Sequence, residues 1–194
     1  MQDDDLPPPS WRQRPKPLGQ ELMYRLHGPV LEIETLRRLE QVDLAEVQRV
    51  RFFHAPSNFT SRSFRTELSL SNGRRVTFGN LSWRSLTDAE RDDRGYRRFV
   101  SALAAAVAAA NPQARFVAGK SFGIWLTLTI GAVLALVLFG WFSARAFQDG
   151  ATGAGWIGLI FGAASAWQLW PMVRLNKPQE LAPGEIPDQL VPGG

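Results

Sequence analysis

Residues 122–144 read FGIWLTLTIGAVLALVLFGWFSA, a run without one charged side chain, and the way that run is read decides the architecture of the whole chain. Wound as an α-helix it extends about 35 Å, enough to cross a hydrocarbon core of about 30 Å. A second apolar stretch, GAGWIGLIFGAASAWQLW at residues 153–170, follows a short connection that contains Arg145, Asp149 and Gly150. The connection suits a tight turn, so the pair predicts a transmembrane α-hairpin; the alternative for the shorter second stretch is a buried or re-entrant helix. Trp125 and Trp141 fall near the ends of the first stretch and Trp156 and Trp170 near the ends of the second, where indoles favour the headgroup level.

The flanks of the hairpin carry its orientation. Arg115 and Lys120 precede it and Arg174 and Lys177 follow it, whereas the turn holds only Arg145, offset by Asp149. Positive residues stay on the cytoplasmic side. The expected topology is therefore multi-pass, with both termini cytoplasmic and the short turn on the outer face. Asp3, Asp4 and Asp5, then Pro7, Pro8 and Pro9, do not read as a signal peptide, so the first span is expected to act as the insertion signal. Asn58-Phe59-Thr60 matches a glycosylation acceptor pattern and is read as a loop.

Within the second stretch Ala154, Gly158, Gly162 and Ala166 recur four apart and place small side chains on one helix side, where another backbone can approach. The plainest use is packing on the first span, with Thr127 and Gly131 expected to face it. Self-association, or docking into a larger membrane complex, is the sharper reading.

Upstream the pattern changes. Residues 1–18 are acidic, then proline-rich and basic, and are expected to stay disordered. Residues 23–81 alternate like strands: Leu31 and Ile33 against Val30, Glu32 and Glu34; Val50 and Phe52 against Arg49 and Arg51; Phe64, Thr66, Leu68 and Leu70 against Arg65, Glu67 and Ser69. Asn72-Gly73 predicts a two-residue type I′ turn and His27-Gly28-Pro29 another turn. Five or six antiparallel strands follow from this, bent or closed into a small barrel. Thr87 and Glu90 have capping-box spacing, and Tyr96, Phe99, Val100, Leu103 and Val107 form one helical stripe that ends at Asn111-Pro112. This stripe predicts a helix lying as a lid on the sheet, with partner binding as its sharper use.

Chemistry is sparse. There are no cysteines and only two histidines, His27 and His54, neither with a carboxylate at ligand or triad spacing in the sequence. No Gly-x-Ser-x-Gly elbow or phosphate-cradling loop occurs. No catalytic residue, metal site or cofactor is expected, and the chain reads as a non-enzyme. Charge is the remaining signal: 22 Lys+Arg against 18 Asp+Glu, net +4. Arg37, Arg38, Arg49, Arg51, Arg62, Arg65, Arg74 and Arg75 are the candidate contacts to an anionic surface; Arg97-Arg98 is a further basic pair. Anionic lipids attract such residues, while the modest net charge and few exposed aromatics disfavour nucleic acid.

Antiparallel strands followed by one amphipathic helix, carried by residues 23–81 and by Tyr96 to Val107, resemble the pleckstrin-homology-like domains of small two-span bacterial inner-membrane proteins. The segments around Val173-Arg174-Leu175-Asn176-Lys177-Pro178 and Pro183-Gly184-Glu185-Ile186-Pro187 are similar to the basic, proline-studded cytoplasmic ends of such proteins. The resemblance implies seven strands, where only five or six are visible; residues 37–44 hold either the missing strand or a short helix. The expected fold class is α+β, an antiparallel PH-like sheet or barrel capped by one C-terminal helix and followed by the hairpin. Its parts are a tail at 1–18, a cytoplasmic domain at 19–118, the hairpin at 119–174 and a proline-containing tail at 175–194. The expected role is a non-catalytic scaffold or adaptor for protein partners. The alternatives are an accessory subunit of an inner-membrane complex, a homo-oligomer, and a module for anionic lipid headgroups.

Overall fold

A computed structural model describes residues 8–55 and 63–191. The chain divides into two units, Met1–Ala118 with Gln179–Gly194, and Gly119–Pro178. The class is α+β, with eleven strands and three α-helices among the described residues.

In the first unit the strands β1 (Ser10–Gln13), β2 (Leu22–His27), β3 (Val30–Glu34) and β4 (Leu39–Asp43) form an antiparallel meander in chain order. A single 3-10 turn at Leu44–Glu46 leads into β5 (Val47–His54), which pairs with β6 (Phe64–Leu70) and through it with β7 (Arg75–Gly79). The strands β8 (Leu81–Trp83) and β9 (Ala89–Arg91) make a separate two-stranded ribbon. Helix α1 (Asp93–Ala110) follows, and then β10 (Arg115–Ala118), which lies parallel to β5.

The period of two places the apolar set as the alternation requires. Leu31, Ile33, Val50, Phe52, Phe64, Leu68 and Leu70 are buried, as is the whole helical stripe from Tyr96 to Val107. The centre of the core is aromatic: the Phe78 ring lies 5.2 Å from Tyr24, 5.6 Å from Phe99 and 6.3 Å from Tyr96. Tyr96 and Thr66 share a buried hydroxyl pair at 2.7 Å. Burial pushes the Tyr24 phenol up to about 12 and the Tyr96 phenol upward as well, so both remain uncharged core groups.

Several expectations are corrected. The β6–β7 connection spans four residues, and only Gly73 has positive φ, so it is not the two-residue type I′ turn, which needs positive φ at both central positions. Helix α1 starts at Asp93, not near Thr87: Asp92 accepts the Gly95 N–H at 2.8 Å, while Glu90 lies in β9. Residues 37–44 contain strand β4. The sheets are not wholly antiparallel, because β10 runs alongside β5 in the same direction. The expected disordered tail at 1–18 contains β1, whose Trp11 and Gln13 are buried; residues 1–7 lie outside the described residues. Pairing with β2 and the burial of one indole give this short segment a return that its proline-rich composition conceals.

The expected tail at 175–194 is likewise drawn into the fold. Gln179–Leu181 forms β11, paired antiparallel with β10, and Leu190 and Val191 are buried. The Arg97 guanidinium donates to the Val191 carbonyl at 2.7 Å and to the Asp188 carboxylate at 2.6 Å. Part of α1 that sequence reading offered to a partner is thus engaged by the chain's own C-terminal segment. Arg97→Ala removes both bonds and is expected to loosen that segment by about 1–2 kcal/mol, roughly tenfold in its cleavage rate. Limited proteolysis with mapped C-terminal cuts measures it; an unchanged rate would show that Leu190 and Val191 hold the segment unaided.

The second unit is a helical hairpin, α2 (Phe122–Gln148) and α3 (Thr152–Leu175). Gly150, with φ +77°, lies in the three-residue connection, and α2 runs past the apolar stretch to include Arg145. Gly158 faces Ser143 and Phe142, Gly162 faces Phe139 and Gly155 faces Phe147, so the helices run antiparallel in close contact. The Trp125 indole donates to the Val173 carbonyl at 2.9 Å near the open end. Helix α2 is the one helix among the described residues long and apolar enough to cross a membrane.

Candidate functional site

The sheet that contains β5, β6 and β7 has one face on the core and one outside. Outward-facing positions alternate along each strand, and register decides which stand side by side. Arg115 of β10 is abreast of Arg49 of β5, which is abreast of Ser69 of β6, which is abreast of Arg75 of β7. One row along, Glu180, Val117, Arg51, Glu67 and Thr77 follow in the same way, and Phe53 pairs with Arg65 in the next row.

Five arginines therefore share this face with two glutamates. Arg51 and Glu67 are 3.7 Å apart, and Arg115 is ion-paired with Glu180. Arg49, Arg65 and Arg75 have no carboxylate partner among the described residues. Burial lowers the pKa of the Arg51 guanidinium, and the neighbouring Arg49 and Arg75 push the same way against the opposing effect of Glu67. Like charges placed directly abreast destabilise a sheet. The Arg115–Arg49 pairing is such a cost, and among the described residues no carboxylate offsets it at Arg49.

Of the eight arginines singled out in the sequence, the sheet brings four together: Arg49, Arg51, Arg65 and Arg75. Arg37 and Arg38 lie in the β3–β4 turn, where the Thr35 hydroxyl accepts the Arg38 N–H at 3.0 Å. Arg74 lies in the β6–β7 connection and is ion-paired with Glu40. Arg62 lies outside the described residues, as does Asn58-Phe59-Thr60. Arg115 belongs to the face but was read only as a flank of the apolar span; the alternation over Arg115–Ala118 was its sole signal.

Another arginine group forms a cleft of about 790 Å³, lined by Arg12, Arg14, Arg84 and Arg91 with Trp83 and Asp92 among others. The proline-rich composition of residues 1–18 conceals it, since Arg12 and Arg14 join the cleft only once β1 pairs with β2. Its charges are largely matched: Arg12 with Glu21 at 3.4 Å, Arg84 with Glu90, and Arg91 with Asp93 at 3.1 Å.

The histidines are placed in ordinary surroundings. His54 is buried, its Nδ1 3.0 Å from the Ser63 carbonyl and its ring 5.4 Å from Phe64. His27 has a carboxylate neighbour that sequence spacing did not suggest, Glu32 at 3.2 Å across the β2–β3 hairpin. No group of three or more metal-ligating side chains occurs among the described residues.

The small-residue stripe is only partly as expected. Gly158 and Gly162 are buried with Gly155, whereas Ala154 and Ala166 are half-buried at its border. Gly158 and Gly162 meet Ser143, Phe142 and Phe139 rather than Thr127 and Gly131, which are exposed. Comparison with protein-family models, curated proteins and solved structures gives no match.

Proposed function

We propose that this chain is a membrane-anchored, non-catalytic scaffold of the bacterial inner membrane, whose PH-like cytoplasmic domain presents an arginine-rich sheet face to an acidic protein partner. The carrying observation is the set Arg49, Arg65 and Arg75, ordered on one face without carboxylate partners among the described residues. Guanidiniums at fixed strand spacing suit carboxylates held at comparable spacing on a peptide or protein surface.

Two spans are supported by packing. Helix α3 lies against α2 along nearly its full length, from Gly155 at the turn to Val173 at the open end. A bilayer that takes up α2 takes up its partner with it, and the charges flanking the pair favour both ends on the cytoplasmic side. The PH-like reading is supported by chain order, a four-stranded meander, then three antiparallel strands, then a helix on the core. The ribbon β8–β9 and the added strands β10 and β11 depart from it. The accessory-subunit alternative loses its expected contact, since Gly158 and Gly162 are occupied by α2.

The test compares the full chain with Arg49→Glu/Arg65→Glu/Arg75→Glu after gentle detergent extraction. Proteins that co-purify with the unaltered chain should fall at least tenfold with the variant, the loss expected from a few charge-assisted contacts. An unchanged set of co-purifying proteins counts against the scaffold reading. Loss of binding to anionic vesicles, with protein capture retained, favours the headgroup alternative.

A further inference from the structure

We infer that one end of the first unit is a lipid-contacting tip, built from leucines on separate turns and directed to an anionic phospholipid surface. The inference extends the membrane reading above but rests on different residues. Strand order places the β1–β2 connection and the β3–β4 turn at the same end of the meander, since each follows an odd strand. The β8–β9 turn is tied to that end, because the Trp83 N–H donates to the Arg14 carbonyl at 3.0 Å and the Arg14 N–H donates to the Ser82 hydroxyl at 3.0 Å.

Every strongly exposed large aliphatic or aromatic side chain found among the described residues of this unit lies at this end. Leu18 is 87% exposed, Leu36 84%, Leu86 64% and Leu39 60%. They are distributed over three turns, Lys16-Pro17-Leu18-Gly19, Leu36-Arg37-Arg38-Leu39 and Ser85-Leu86-Thr87. The opposite end, at Gly28-Pro29 and the 3-10 turn, exposes none of comparable size. Across the full connections, residues 14–21, 35–38 and 84–88, Arg14, Lys16, Arg37, Arg38 and Arg84 stand against Glu21 and Asp88, so positive charge prevails. Arg37 and Arg38 have no carboxylate partner among the described residues.

A protein pocket selects a contiguous apolar patch of fixed shape. Isolated leucines on neighbouring turns instead suit a fluid interface that conforms to each one, and cations at the same level suit anionic headgroups. A chain with a helix long and apolar enough to cross a membrane would meet such a surface.

The absence of cysteine makes a direct test simple. Single cysteines replacing Leu18, Leu36 or Leu86 in the full chain carry a polarity-sensitive fluorophore. The chain is reconstituted in vesicles of phosphatidylglycerol and phosphatidylcholine that contain a nitroxide-labelled lipid. Controls are Val137→Cys on α2 and Gln113→Cys, beyond α1, where Asn111 bonds the Ala45 carbonyl near the opposite end of the meander. The three tip labels should be quenched at least threefold more than the Gln113 label, and the excess should fall at least threefold with Arg37→Glu/Arg38→Glu. A Thr87→Cys label, in a chain that keeps its leucines, guards against a probe inserting by itself. Its quenching should drop at least threefold when Leu18, Leu36 and Leu86 become serine. Tip labels quenched no more than Gln113, with Val137 strongly quenched, overturn the lipid tip alone; an unquenched Val137 overturns the membrane anchor.

Discussion

Phe78→Ala is expected to lower the melting temperature of the first unit by about 10–20 °C, followed through the near-ultraviolet signal of its aromatic side chains in detergent. Truncating a buried phenylalanine costs about 3–5 kcal/mol when the cavity cannot collapse. Collapse is difficult here, because Phe78 is ringed by Tyr24, Tyr96 and Phe99, which come from a strand of the other sheet and from α1. Each of those rings is itself buried and fixed, Tyr96 additionally by its bond to Thr66. Phe78→Leu keeps most of the volume and should recover more than half of the loss. A melting temperature within a few degrees of the unaltered chain for Phe78→Ala would remove the aromatic cluster from the centre of the stability account.

Gly119→Val is expected to disrupt the stem of the hairpin. Gly119 has φ +80°, a conformation that costs a side-chain-bearing residue about 1–2 kcal/mol. A Cβ there would also meet the Lys177 and Asn176 carbonyl oxygens and would lie 2.7 Å from the Lys177 carbonyl carbon. These are backbone atoms, so relief requires the chain itself to move, adding about 1–3 kcal/mol. Together the penalties correspond to roughly a hundredfold increase in local opening. Hydrogen exchange at the amides of Phe116 to Lys120 and Gln179 to Leu181 reports it, with Gly119→Ala showing a smaller increase of the same sign. Exchange unaffected by valine would show that the stem does not depend on this close approach.

The elements legible in the sequence were those whose pattern repeats enough to stand above chance. The apolar run of α2, the five-residue stripe of α1 and the alternation through β5 and β6 each present several residues in phase. What escaped was short and paid back only through distant partners. In β1 the alternation is confined to Trp11 and Gln13, and the Gln13 side chain is held from positions nearly seventy residues away, the Gly79 N–H and the Leu81 carbonyl. The three residues of β11 have no strand signature of their own; their pairing depends on β10 across the entire hairpin. Thr87 and Glu90 show the reverse error, a capping pattern that the ribbon β8–β9 overrides by claiming Glu90 as a strand residue.

The arginine face was half legible for the same reason. Alternation indicated which arginines of β5 and β6 point outward, but nothing local says that Arg115 stands beside Arg49, since that neighbourhood is made by a parallel pairing beyond α1. Pairing also separates Arg74 from Arg75: adjacent in sequence, one is bound to Glu40 and the other remains in the open row.

The pairing of β10 with β11 also sets how the two units are joined. The chain departs after Ala118 and returns at Gln179, and these two residues face each other as the last pair of one antiparallel ladder. Topologically, residues 119–178 occupy the position of a hairpin turn. A two-residue Asn-Gly link between Ala118 and Gln179 would close the same ladder as an ordinary β-hairpin. The helical hairpin therefore enters the chain at a single splice point, and replacing residues 119–178 by that link is expected to leave the β10–β11 register unchanged.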